Sequence, residues 1–199
     1  MAKQDSETSI TYFTETGKSN SKKTLQAAAR RARELDIDTI ILPSTSGETG
    51  QLALELLDDR EIVVVTHSTG FIRPDFQQMP ESTRRKLQEN GAKVLTCQHA
   101  LGGVGRAVRK KLDTYQTDEI IAHTLRLFGE GTKVAIEITL MAADAGLVVT
   151  QTPCISLGGT GEGVDTALVI QPAHAQDFFD LKIMEIIAKP RLGMDSYEA

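Results

Sequence analysis

The 199-residue sequence contains no tryptophan and only two cysteines, Cys97 and Cys154. Aromatic residues make up 5% of the chain, so few side chains could stack on the bases of a single-stranded nucleic acid. The cysteines form neither a CxxC pair nor a Cys/His spacing typical of zinc, so no metal site is expected. So few cysteines also favour reduced thiols and a cytoplasmic location.

Positive charge is also scarce, because 22 lysines and arginines face 27 aspartates and glutamates, giving a net charge of −5. A general nucleic-acid-binding protein needs excess basic charge to neutralise phosphates, so nucleic acid is not an expected partner. No apolar run is long enough for a transmembrane helix, and the N-terminus lacks the apolar core of a signal peptide. These absences predict a soluble protein without a membrane partner.

The apolar periodicity predicts helices and strands that alternate between residues 39 and 158. Such alternation implies right-handed crossovers and a parallel sheet covered by helices on both faces. Residues 132–149 also fit a strand by propensity, but their length and apolar spacing favour a helix. The predicted helices are 21–35, 48–58, 80–91, 102–112, 117–128, 132–149 and 176–188, and the predicted strands are 10–13, 39–42, 61–66, 93–97, 154–157 and 165–170.

The chain is expected to form one α/β domain over residues 10–191, because no linker or repeat interrupts it. Residues 1–9 are predicted to be a disordered tail and residues 192–199 a C-terminal tail. The last two predicted strands are joined by a connection too short for a parallel crossover, so they should pair antiparallel and end the sheet.

Four segments that follow predicted strands hold much of the Gly, Ser, Thr and His: 43–50, 66–74, 98–106 and 157–165. Ligands of open α/β sheets bind beyond the carboxyl ends of the strands, so these segments predict one composite site. The predicted binding residues are Ser44, Thr45, Ser46, Gly47, Glu48, Thr49, Thr66, His67, Thr69, Gly70, Phe71, Leu101, Gly102, Gly103, Val104, Gly158, Gly159 and Thr160.

The three glycine- or hydroxyl-rich motifs each allow a plain structural interpretation as well. Residues 43–50 offer hydroxyls and N–H groups at a helix N-terminus, which suits a phosphate but also an ordinary helix cap. Residues 102–107 resemble the start of a dinucleotide fingerprint, yet Val108 stands where its last glycine should be, so a tight turn is favoured. Residues 158–163 are dense in glycine, but a strand follows them, which favours a hairpin connection over ligand contact.

Three ionisable residues are candidates for chemistry without a clear motif. His67 and His99 follow neighbouring strands, so they could share a cleft, and either could be a proton donor, although a hydrogen-bonded loop histidine is favoured. Glu137 lies in an apolar helix, where a buried carboxylate needs a partner such as the backbone donors at a neighbouring helix start. A structural role for Glu137 is therefore favoured over catalysis.

The motif PSTSGETG at 43–50 resembles the phosphate loop in the C-terminal domain of pyruvate kinases. In allosteric pyruvate kinases this loop holds a phosphate of a sugar bisphosphate effector, which implies the same task for Ser44, Thr45, Ser46, Gly47 and Thr49. The catalytic barrel of pyruvate kinase has no counterpart in this sequence, so the resemblance implies no kinase activity.

Longer segments are similar to a standalone family of pyruvate-kinase-C-terminal-domain-like proteins, found mostly in archaea and some bacteria. They are HSTGFIRP (67–74), EITLMAADAGLV (137–148), GGTGEGVDTALVIQPAH (158–174) and FFDLKIMEIIAKPR (178–191). The resemblance implies a three-layer α/β/α fold with a five-stranded mixed sheet whose last strand is antiparallel. The family is associated with bound flavin mononucleotide (FMN), which implies that the flavin and ribityl chain lie across 67–71, 101–104 and 158–160.

These observations leave three hypotheses for the function. The first is a small protein that binds FMN and, if it is an enzyme, acts as an FMN-dependent oxidoreductase. The alternative is a non-enzymatic sensor or regulatory module for a sugar phosphate or nucleotide. The third is an interaction scaffold whose loop is only a helix cap. The oligomeric state stays open, with a homo-oligomer as one option.

Overall fold

One mixed sheet forms the centre of the computed structural model, which describes residue 5 and residues 7–193. The predicted tails at 1–9 and 192–199 therefore fall largely outside the described residues. The strands are β1 (Thr11–Phe13), β2 (Thr39–Pro43), β3 (Glu61–Val65), β4 (Lys93–Leu95), β5 (Cys154–Gly158), β6 (Thr166–Gln171) and β7 (Lys182–Pro190).

The strand order across the sheet is β1-β7-β6-β5-β2-β3-β4. Strands β2 to β5 run parallel, β6 is antiparallel to both β5 and β7, and β1 is parallel to β7. All strands except β6 thus run in one direction. The predicted antiparallel pairing of the segments 154–157 and 165–170 is confirmed, since Cys154 lies opposite Ile170.

The helices cover both faces of this sheet. They are α1 (Ser21–Leu35), α2 (Glu48–Leu56), α3 (Glu81–Glu89), α4 (Gly103–Leu112), α5 (Thr117–Arg126) and α6 (Glu130–Asp144), with short 3-10 helices at Lys18–Asn20 and Ala175–Asp180. Helices α1, α2 and α3 pack on one face, and α5 and α6 pack on the other. The three-layer α/β/α prediction is therefore confirmed.

Strand β2 shows why the sequences of the central strands are runs of apolar residues. Ile40 and Leu42 belong to the core beneath α1 to α3, whereas Ile41 belongs to the core beneath α6. Successive side chains of a strand point to opposite faces, and both faces are covered here, so the three buried positions 40–42 are all apolar. None of the described helices is long and apolar enough to cross a membrane.

The predicted helix at 176–188 is wrong. The chain makes the short 3-10 helix Ala175–Asp180 and then β7, which hydrogen-bonds to β6 on one side and to β1 on the other. The spacing of Ile183 and Ile187 fits a helix. Pairing with a strand on each side, however, gives the backbone N–H and C=O groups of β7 as many hydrogen bonds as a helix would, and β-branched residues suit a strand. The sheet consequently has seven strands rather than five, and β6 is an interior strand rather than an edge.

Candidate functional site

A cavity of about 750 Å³ opens at the carboxyl ends of β2, β3 and β5. This volume is typical of a pocket for a small molecule. The residues that line it are Lys18, Ser19, Ser21, Lys22, Pro43, Ser44, Thr45, Ser46, Glu48, Thr49, Leu52, His67, Gln78, Val134, Gly159, Gly161, Glu162 and Gly163. The cavity lies at the edge of the sheet where the sequence predicts a binding site. We call it the carboxyl-edge cavity.

A second cavity, of about 830 Å³, lies at the opposite edge of the sheet. Its charged lining residues are Asp36, Asp38, Asp58, Asp59, Arg60, Glu61 and Lys93. The excess of carboxylates makes it a poor site for a phosphorylated ligand.

The loop between β2 and α2 forms one wall of the carboxyl-edge cavity. The N–H of Ser44 donates to the carbonyl of Val65 over 3.0 Å, which anchors the loop to the end of β3. The hydroxyl of Ser44 accepts from the N–H of Gly50 at 3.3 Å, so this serine caps the first turn of α2. The N–H groups of Thr45, Ser46 and Gly47 have no acceptor among the described residues. These three donors are available to an anion.

Gly47 is required by the shape of this loop. Its φ of 99° lies in the left-handed region, which costs other residues about 1 kcal/mol or more. An added Cβ would also clash with the side chain of Thr83 on α3. Helix α3 therefore packs directly against the loop and holds its N–H groups in place.

Two lysines that are not among the predicted binding residues also line this cavity. Lys18 comes from the 3-10 helix before α1, and Lys22 comes from the first turn of α1. The ammonium of Lys18 lies 2.5 Å from a carboxylate oxygen of Glu48, and this contact raises the pKa of Lys18. The signal available in the sequence was the polar run GKSNSKK before a helix, but only tertiary packing brings α1 beside the loop.

The glycine-rich segment 158–163 forms the opposite wall. The buried carboxylate of Asp165 accepts from the N–H of Gly17 at 2.8 Å and from the N–H of Thr160 at 3.2 Å. The N–H of Val164 donates to the hydroxyl of Ser21 over 3.1 Å. The segment is a hairpin connection, as predicted, and it is also fixed onto the start of α1 as a cavity wall.

The predicted binding residues divide into two groups. Those that line the carboxyl-edge cavity are Ser44, Thr45, Ser46, Glu48, Thr49, His67 and Gly159, and Gly47 lies within the same loop. Those that do not line it are Thr66, Thr69, Gly70, Phe71, Leu101, Gly102, Gly103, Val104, Gly158 and Thr160. Thr66 is buried and bonds Thr96 over 2.6 Å, whereas Gly102 and Gly103 form the start of α4.

A cluster of three rings lies next to the cavity. His67 stacks on Phe71 with 4.1 Å between ring centroids, and Phe71 stacks on His99 at 5.0 Å. The centroids of the two imidazoles are 5.5 Å apart, and Arg106 lies over the Phe71 ring at 5.4 Å. His67 is the one ring of this cluster that also lines the cavity. It therefore connects the predicted residues on the cavity with Phe71, which does not line it.

Glu137 is the centre of a buried polar network behind this ring cluster. Its carboxylate accepts from the N–H of Leu101 at 3.0 Å and from Lys133 Nζ at 2.5 Å, and His99 Nδ1 lies 3.6 Å away. Burial raises the pKa of Glu137, but His99 and Lys133 outweigh it and lower this pKa to about 2. The sequence predicts that backbone donors at a neighbouring helix start partner Glu137. This is confirmed, because the donor Leu101 lies two residues before the start of α4.

The strand order and the position of the cavity define a three-layer α/β domain with a cavity at the carboxyl ends of its parallel strands. Residues 22–170 match the family model described as pyruvate kinase, alpha/beta domain, so the chain belongs to that family.

Solved structures of Cryptosporidium parvum pyruvate kinase are similar to this chain. One is 14% identical, with a TM-score of 0.35, and the match covers 69% of this chain and 20% of that one. A complex with ADP is 16% identical, with a TM-score of 0.37, and covers 74% of this chain and 22% of that one. The chain thus spans about a fifth of these kinases, and the family assignment rests on the family model.

Proposed function

We propose that this protein binds a phosphorylated small molecule in the carboxyl-edge cavity, and FMN is the ligand that we favour. The observation that carries the proposal is the set of three unpaired N–H groups at Thr45, Ser46 and Gly47, directly before α2. A helix N-terminus with free N–H groups attracts a phosphate. Lys18 and Lys22 add positive charge to the same cavity.

The remaining walls support a ligand larger than a phosphate. Among the glycines of this wall, Gly161 has open space where a Cβ would stand, which allows a flat ring to approach its backbone closely. Leu52 and Val134 add apolar surface. The flavin, once bound, would supply hydride or electron transfer, so an enzymatic role would be that of an FMN-dependent oxidoreductase. We place this role in the cytoplasm, because Cys97 and Cys154 are both free thiols.

The direct test is the visible absorbance of protein purified without added cofactor, with mass spectrometry of the ligand released by heat. A flavin band with close to one FMN per chain is the expected result. Colourless protein that also takes up no FMN on titration would overturn the flavin proposal.

Ser46→Asp is expected to weaken FMN binding by at least about 100-fold, because a carboxylate would stand among the N–H groups that receive the phosphate. Ser46 is exposed, so the fold should tolerate the change. The matched control is Ser46→Asn, which has the same shape without the charge and should bind within a few-fold of the parent. Equal affinities of the two variants in fluorescence titrations would show that the phosphate lies elsewhere.

Glu48→Gln is expected to tighten FMN binding several-fold. The change removes a negative charge from the cavity. It also frees the ammonium group of Lys18, which is paired with Glu48 in the parent protein. Lys18→Met should weaken binding by a similar factor, and both effects should shrink in high salt, because the pair is exposed. Titrations at low and high salt check this, and a loss of affinity in Glu48→Gln would contradict it.

The second candidate function is a sensor for a sugar phosphate or a nucleotide. Charged residues of both signs, Lys18, Lys22, Glu48 and Glu162, line the cavity and suit a polar ligand as well as a flavin. A thermal-shift panel of FMN, sugar bisphosphates and nucleotides separates the two candidates by the ligand that raises the melting temperature most. An unchanged melting temperature across the panel would favour a scaffold.

A further inference from the structure

His67 lines the carboxyl-edge cavity, and its Nε2 has no hydrogen-bond partner among the described residues. Its Nδ1 lies 2.8 Å from the side-chain oxygen of Gln78, which also lines the cavity. A carboxamide oxygen only accepts hydrogen bonds, so Nδ1 carries the hydrogen and Nε2 keeps its lone pair. Gln78 thereby sets the tautomer in which His67 can accept a proton.

The surroundings keep His67 neutral near neutral pH. Burial lowers the pKa of His67, the hydrogen bond with Gln78 opposes this, and His99 lowers it further. The other charged groups that act on it are Glu137, which raises its pKa, and Arg106, which lowers it. A neutral imidazole with a free lone pair is a base rather than an acid.

The charge of Glu137 favours the imidazolium that proton uptake by His67 would create, although His99 and Arg106 oppose it. Glu137 is ionised, because its pKa of about 2 is far below neutral pH. Its carboxylate stands 3.6 Å from His99 Nδ1, and the His99 ring lies 5.5 Å from the His67 ring between centroids. His99 Nε2 is buried and has no hydrogen-bond partner among the described residues. Such an unpaired nitrogen costs stability, which suits a functional group better than a purely structural one.

We propose that His67 is the proton acceptor for the ligand held in the carboxyl-edge cavity, with Gln78 and the His99–Glu137 pair as its positioning residues. This inference rests on the proposed function, because it needs a ligand in that cavity. It assigns the ligand a hydrogen-bond donor, an O–H, N–H or acidic C–H group, that faces His67.

The proton-transfer step balances without a further reactant. The bond between the ligand atom and its hydrogen breaks, and its electron pair stays on the ligand. The proton binds to Nε2 of His67, and the imidazolium returns it to water or to the ligand afterwards. Glu137 stays ionised throughout, because its carboxylate already accepts from Leu101 and Lys133.

The first test measures the tautomer and the pKa of His67 by long-range proton–nitrogen NMR on the protein without ligand. The expected result is an Nδ1–H tautomer with a pKa below the ordinary value. Gln78→Glu should raise that pKa, because a carboxylate would replace the amide, and Gln78→Leu should lose the tautomer preference. An Nε2–H tautomer, or an unchanged pKa in Gln78→Glu, would overturn the proposal.

The second test measures FMN affinity as a function of pH. Protonation of His67 removes the acceptor, so the parent should lose up to about tenfold in affinity for each pH unit below the pKa of His67. His67→Gln should lack this loss, and the ratio of the two proteins cancels the ionisation of the FMN phosphate itself. His123→Gln, on the exposed side of α5, is the matched control and should behave like the parent.

The two proposals fail in different ways. If FMN binds and the pH profiles of the parent and His67→Gln coincide, the role of His67 is wrong and the binding function stands. If no FMN binds, the flavin proposal falls, and the tautomer and the response to Gln78→Glu still decide whether His67 is built as a proton acceptor.

Discussion

Glu137→Ala is expected to lower the free energy of unfolding by about 3 to 5 kcal/mol, because it leaves a buried charge without its partner. Lys133 and Glu137 are 4% and 3% exposed, so water cannot replace the missing carboxylate. The N–H of Leu101 loses its acceptor in the same variant. Urea unfolding at neutral pH measures the change.

The control for this prediction removes both charges together. Lys133→Met combined with Glu137→Met fills the same space with apolar side chains and leaves no unpaired ion, so it should recover at least half of the loss. The N–H of Leu101 and the Nδ1 of His99, which both lose the carboxylate, remain as costs. If the double variant is as unstable as Glu137→Ala, the ion pair is not the source of the effect.

The same carboxylate predicts how stability depends on acid. The folded-state pKa of Glu137 is about 2, below its ordinary value of 4.5, so its contribution is complete above about pH 4.5 and is lost as the pH falls towards 2. The size of the contribution is about 3 kcal/mol. Glu137→Gln should flatten this acid limb of the stability curve, and an unchanged slope between the two proteins would contradict the lowered pKa.

Gly158→Ala is expected to abolish stable folding or to cost more than about 3 kcal/mol, because the added Cβ would clash with the carbonyl oxygen of Gly131. Gly158 ends β5 and Gly131 lies in the first turn of α6, so the clash is between two backbones. Neither side can move aside as a flexible side chain would. The yield of soluble protein and the urea midpoint measure the effect.

Gly161→Ala separates this clash from the general cost of replacing glycine. Gly161 belongs to the same connection and has a φ of 73°, but no atom lies within 4 Å of the position its Cβ would take. It should cost only about 1 to 2 kcal/mol, the strain of a left-handed alanine. A loss in Gly158→Ala no larger than in Gly161→Ala would contradict the close packing of α6 on β5.

Much of the architecture could be predicted from local pattern. Helix α1 has the predicted bounds, 21–35, because its apolar residues recur at helical spacing and Asp36 ends it in a left-handed conformation. The strands at 39–43 and 61–65 are apolar and buried at 40–42 and 62–65, as expected of a sheet covered on both faces. The loop at 43–50 also follows a strand and precedes a helix, as its hydroxyls and glycines predict.

The C-terminal region shows where local pattern fails. Residues 182–190 place Ile183 and Ile187 at a spacing that fits a helix, although their β-branched side chains also suit a strand. Strand β7 pairs with β6 over most of its length and also with β1, which is separated from β7 by most of the chain. Backbone pairing on both sides therefore overrode the helical spacing.

The sequence by itself determined which segments form the sheet's central strands, which edge of that sheet carries the loops, and that Glu137 needs a buried partner. Local periodicity and the cost of an unpaired buried carboxylate suffice for these conclusions. Only the tertiary structure decided that Lys18 and Lys22 lie on the same cavity as the loop at 43–50, that Leu101 donates to Glu137 instead of lining this cavity, and that His67 lines it. Those results depend on how α1, α4 and α6 pack against the sheet, and contacts between distant segments leave no periodic signal along the chain.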